Sequence, residues 1–129
     1  MTRIVKVRCG RDAESREIIY VPLRNKGEAI LYREDFDRLL ELGLSLSWNR
    51  LPNGYVTAPA YKAHGNSIQV ARVIVDAGPG EQVKYVNGDL TDLRSSNLCL
   101  LKGGGASRRD RDFISARPRL AQVEYLDAA

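Results

Sequence analysis

β-Branched and tyrosine residues are dense over residues 3–8 and 17–23, and polar turn material lies between them at residues 10–15, so the chain is expected to open with a β-hairpin. A short strand, Glu28–Tyr32, is expected after Gly27. Tyr32, Phe36, Leu39 and Leu40 then recur on one face at helical spacing and Gly43 ends the pattern, which predicts a helix over Arg33–Leu42. Glu34 and Arg38 stand four apart on its outer side, a solvated pair that says nothing of function. From residue 46 to 70 the punctuation changes to Pro52-Asn53-Gly54, Pro59 and His64-Gly65-Asn66, which separate three β-prone runs at 46–50, 55–60 and 67–70. These runs predict a small antiparallel meander. Val70, Val73, Ile74 and Ala77 return to helical spacing and stop at Gly78-Pro79-Gly80, which predicts a two-turn helix or a helical turn. The run 82–90 enters a turn at Asn87-Gly88, and a strand follows at 98–101. Beyond Gly103-Gly104-Gly105, Ser107 is positioned to cap a helix reaching Arg117, where Pro118 would end it.

Composition narrows the class. A chain of 129 residues with 43% apolar content suits one domain, and 28% charged residues with a mean hydropathy of −0.33 exclude both wholesale disorder and a membrane protein. The N-terminus alternates charge with β-branched residues and lacks the apolar core of a signal peptide, so the expected location is the cytoplasm. Cys9 and Cys99 belong to no Cys/His cluster and are expected to be buried free thiols. Twenty basic against sixteen acidic residues give a net charge of +4, which permits nucleic-acid binding without requiring it. Past residue 101 the signs are mixed, which suits a solvated helix as well as a nucleic-acid arm.

From Ile18 to Leu101 the order of features resembles the phage and prophage HNH endonuclease family, a ββα-metal fold with an AP2-like N-terminal half. The resemblance rests on Val21-Pro22-Leu23, Gly27-Glu28-Ala29, Glu34-Asp35-Phe36, Trp48 and Gly54-Tyr55. Its tightest stretch is Ala71-Arg72-Val73-Ile74, Gly80, Val83-Lys84-Tyr85-Val86-Asn87-Gly88-Asp89 and Asp92-Leu93-Arg94-Ser95-Ser96-Asn97-Leu98, with the family's spacing kept throughout. The resemblance implies an α+β domain: an antiparallel sheet with a packed helix over residues 1–70, a degenerate ββα unit over 71–117 and a C-terminal tail over 118–129. Asn87, Gly88, Asp89, Asp92 and Asn97 would be the surviving motif, with Asn97 a structural brace for the metal loop.

The departures fall on the chemistry. The family's metal-ligating Asp and general-base His correspond to Lys84 and Tyr85, and a third, metal-ligating position falls at Ala106. Hydrolysis of a phosphodiester at a one-metal site needs an oxygen-ligated hard cation and a base active near neutral pH. An ammonium about 4 Å from a cation costs roughly 4 kcal/mol per pair of unit charges at an effective dielectric near 20, where a carboxylate gains about as much. Tyrosine, with a reference pKa of about 10, is a poor base at pH 7. Catalytic residues, metal and cofactor are therefore all expected to be absent.

Asp89 and Asp92 as a displaced metal site are set against their plainer reading as turn carboxylates. Tyr85 as a DNA nucleophile is set against a Tyr that fills the space of a lost His. His64 is expected to be an exposed loop residue, Trp48 a core residue, and the three glycines a flexible hinge rather than a phosphate cradle.

Three functions remain. The first is a catalytically inactive, HNH-like protein that binds double-stranded DNA by its phosphate backbone through Arg72, Lys84, Arg94, Arg108, Arg109 and Arg111, with steep salt dependence. Its competing reading makes Arg72 and Arg94 scaffold ion-pair partners. The second is a phage-encoded module that binds a host transcription or defence protein, which the modest net charge favours. An active nuclease with a displaced site is the third and least favoured. A contiguous basic face would mark DNA, and an exposed apolar patch a protein partner.

Overall fold

The computed structural model describes residues 4–60, 67–114 and 122–127. It is a mixed α+β fold with three small sheets and two α-helices among those residues. β1 (Ile4–Arg11) and β2 (Glu17–Pro22) form the expected hairpin, with Arg11 opposite Glu17 and Arg8 opposite Tyr20. β3 (Glu28–Tyr32) adds antiparallel to β2. Both its bounds and those of α1 (Arg33–Leu42) fall where the apolar pattern puts them. Helix α1 buries Phe36 and Leu39. Its end is a glycine C-cap: Gly43 takes φ 87°, and Gly43 and Leu44 donate backwards to Leu40 and Leu39. Leu44, just beyond, is buried and completes the motif.

The meander is β4 (Asn49–Arg50), β5 (Val56–Pro59) and β6 (Ser67–Gln69), all antiparallel. His64 lies outside the described residues. Trp48 is fully buried and its indole N–H donates to Ser45 O at 2.7 Å, so the expected core role holds. α2 (Val70–Ile74) takes the shorter of the two expected forms, little more than one helical turn. Asp76 takes the left-handed φ of 51°, and Ala77 and Asp76 donate backwards to Arg72 and Val73, closing the helix with a non-glycine residue.

β7 (Glu81–Tyr85) and β8 (Leu98–Lys102) form a two-stranded antiparallel ribbon, with Tyr85 opposite Leu98 and Lys84 opposite Cys99. The two strands expected on either side of the Asn87-Gly88 turn are present. The helix from Ser107 is not: residues 107–114 contain only a 3-10 turn at Asp110–Phe113, and the rest of the expected helix lies outside the described residues. Asp110 is drawn into a buried ion pair with Arg72, and Arg109 ahead of it is extended, so the segment follows the demand of that buried charge rather than a solvated helical face.

The glycine run is also not a hinge. Gly103 and Gly105 donate to Gly80 O at 2.8 and 3.3 Å while Gly80 donates to Ala106 O at 2.8 Å. A Cβ on Gly105 would lie 1.8 Å from Glu81 O, so the chain crosses β7 at a distance only glycine permits.

Part of the segment expected as a C-terminal tail is a strand, β9 (Gln122–Asp127), which lies parallel to β1 and gives the first sheet the order β3-β2-β1-β9. The cysteines depart from expectation as well: Cys9 is half-buried, and Cys99 is exposed on the outer side of the ribbon. No helix among the described residues is long and apolar enough to cross a membrane.

Candidate nucleic-acid interface

Alternation along the ribbon separates two faces. Val83, Tyr85 and Leu98 pack toward the core, whereas Gln82, Lys84, Cys99 and Leu101 turn outward and are exposed. Lys84 is therefore on the solvent side of β7 and makes no ion pair among the described residues. Tyr85, its neighbour, is on the other side. Its ring lies 6.1 Å from that of Tyr55, and burial, helped by the nearby Tyr55 phenol, pushes its hydroxyl up to about 12. A phenol held neutral to that pH is neither a base nor a nucleophile near neutrality.

The connection between β7 and β8 is held from inside by Asn97, which is buried. Its side-chain oxygen accepts Asn87 N–H at 2.9 Å and its amide donates to Asp92 O at 3.0 Å. Asn87 in turn donates to the Asp92 carboxylate at 2.9 Å, and Gly88 turns the chain with φ 77°. Asn97 thus braces the loop by its own hydrogen bonds.

Asp89 and Asp92 engage different donors. Asp89 accepts the N–H and hydroxyl of Thr91, as a turn carboxylate does. Asp92 is buried and receives two bonds from the Arg94 guanidinium, at 2.9 and 2.7 Å. Burial works to raise its carboxyl, but the bonds from Arg94 and Asn87 outweigh it and hold Asp92 below the ordinary carboxylate range. The same pairing raises Arg94 above its ordinary value. No group of three or more His, Cys, Asp and Glu side chains among the described residues is placed to hold a metal ion.

The arginines expected at a phosphate surface are mostly engaged within the fold. Arg72 is 4% exposed and donates to the fully buried Asp110 at 2.8 Å and to the carbonyls of Glu81, Gly78 and Arg108. It is a structural post, not a surface cation. Arg108 contacts the same carboxylate at 3.3 Å, donates to Ser67 O and lies over the Phe113 ring. Arg109 holds Asp76 with two bonds of 2.8 and 2.6 Å, an exposed fork that depresses the Asp76 carboxyl. Arg111 is exposed and makes no ion pair among the described residues. Ala106 is exposed and contributes only its carbonyl, to Gly80.

The residue missed by sequence reasoning is Asp110, which lies in the mixed-sign stretch past residue 101 and was not singled out there. Its signal was a charged residue inside the apolar run Val70-Ala71-Arg72-Val73-Ile74: a buried guanidinium requires a buried anion, although the pattern does not say which. No protein-family model, curated protein or solved structure matches this chain.

Proposed function

We propose that this chain is a catalytically inactive, HNH-like module that binds double-stranded DNA by its phosphate backbone, with the outer face of the β7–β8 ribbon around Lys84 as the contact. The observation that carries the reading is the division at Lys84 and Tyr85: an exposed lysine without an ion pair among the described residues stands where the resemblance implies a metal-ligating carboxylate, beside a buried, neutral phenol at the base position. An ammonium there meets a phosphate directly and needs no cation.

The ion pairs narrow the expected contact. With Arg72, Arg94, Arg108 and Arg109 engaged internally, Lys84 and Arg111 remain of the six candidates. Two neutralised phosphates give a log–log salt slope of about −2, against about −5 for six.

The test is gel retardation of mixed-sequence duplex at about 50 and 200 mM salt, with and without Mg²⁺, for the wild type and Lys84→Glu. Salt-sensitive retardation without nicking, weakened by Lys84→Glu, is expected. No retardation at the lower salt overturns DNA binding, and chelator-sensitive nicking overturns inactivity. A protein partner is the second reading, favoured by Val86, 67% exposed, and Leu101, 38% exposed, at the same ribbon.

A further inference from the structure

The four-stranded sheet has two unlike edges. At β3 the edge is closed, because Ile30 donates to Thr91 O at 3.0 Å and accepts from Leu93 N–H at 2.7 Å, so residues 91–93 run beside it. At the other end β9 pairs with β1 on one side only, among the described residues. A strand so placed turns alternate backbone N–H and C=O groups outward, and its six residues contain neither proline nor lysine to blunt the edge. We propose that this edge is a self-association surface, on which β9 pairs antiparallel with β9 of a second copy about a twofold axis through Tyr125.

The strand's own sequence selects that occupant. Directly opposed residues in an antiparallel pair share a sheet face, so a twofold axis normal to the sheet must pass through a residue rather than between two. Through Glu124 it would set Glu124 against its own copy, like charges face to face. Through Tyr125 it sets Tyr125 against Tyr125, Glu124 against Leu126 and Val123 against Asp127, with five residues overlapping and no like charges opposed. Axes through Val123 or Leu126 overlap only three residues.

The surroundings favour the Tyr125 register. Glu124 is in register with Lys6 of β1, an opposite charge on the neighbouring strand. The Tyr125 ring stands edge-on to the fully buried Phe36 at 6.3 Å and lies under the Arg33 guanidinium at 4.7 Å, yet Tyr125 remains 40% exposed. A ring positioned in this way before association loses little freedom when it meets its copy.

Sedimentation equilibrium over a dilution series tests the proposal. The expected result is reversible association above the 14.4 kDa monomer. Tyr125→Lys places two ammonium groups opposite each other and removes the aromatic pair, weakening association about tenfold or more, whereas Tyr125→Phe stays within about twofold of wild type. With Cys9 and Cys99 both replaced by Ser, Tyr125→Cys is expected to form an intermolecular disulfide on mild oxidation and Glu124→Cys is not, since only residues on the axis approach their own copies at bonding distance. A circular-dichroism spectrum shows whether Tyr125→Lys keeps the fold; if it does not, Tyr125→Phe and the cross-link decide. A monomer at every concentration, a dimer indifferent to Tyr125→Lys with its fold intact, or equal cross-linking at both positions overturns the proposal.

Discussion

Replacing Asp110 with alanine removes the carboxylate that receives Gln69 N–H at 2.8 Å, Arg72 Nε at 2.8 Å and Arg108 Nε at 3.3 Å. What remains is the Arg72 guanidinium, almost wholly buried, without its counter-charge. Removing one member of a buried pair costs about 3–5 kcal/mol. Arg72 keeps its bonds to the carbonyls of Glu81, Gly78 and Arg108, which places the loss near the lower end, at about 3 kcal/mol. That is a large part of the roughly 5–15 kcal/mol that holds a domain folded. Asp110→Asn keeps an acceptor and is expected to lose about half as much. The double variant Arg72→Met, Asp110→Leu removes both charges, so its loss falls short of the sum of the single losses by about 1–3 kcal/mol. Urea unfolding followed by the fluorescence of Trp48, the single tryptophan and a fully buried one, measures all of these. A loss below about 1 kcal/mol for Asp110→Ala at an unchanged denaturant slope would refute the argument that this pair ties β6, α2 and the residues after the glycine turn together.

Three further outcomes follow from the same structure. Gly105→Ala is expected to destabilise by several kcal/mol in thermal unfolding because its Cβ would meet Glu81 O at 1.8 Å, whereas Gly88→Ala, in open space at φ 77°, is expected to lose about 1–2 kcal/mol. Equal effects would show that the crossing at β7 is not tight. Tyr85 has its hydroxyl raised to about 12 in the folded chain against about 10 unfolded, so the unfolded chain ionises first and stability is lost as pH rises from about 10 through 12. Tyr85→Phe is expected to flatten that part of the stability–pH curve, and an unchanged curve would contradict burial of the phenol. Asn97→Ala leaves Asn87 N–H and Asp92 O without their partner and is expected to cost about 1–3 kcal/mol, with faster amide exchange at residues 87–97. Protection unchanged across that loop would remove Asn97 from the role of brace.

What the chain declares about itself is local. The β1–β2 hairpin, β3, α1 with its glycine stop, the meander and the β7–β8 strands each follow from apolar spacing and turn residues within some ten positions, because side-chain period and backbone torsion are local properties. Tertiary structure alone decided which of the basic residues remain available. Arg72 and Asp110 are 38 residues apart, Arg109 and Asp76 are 33 apart, and no periodicity links either pair. It also decided that three glycines make a close crossing rather than a hinge, and that residues 122–127 join a sheet begun at residue 4. Parallel pairing of β9 with β1 and the neutralisation of a buried guanidinium depend on what the folded chain brings alongside, and a buried charge takes whichever anion the packing delivers.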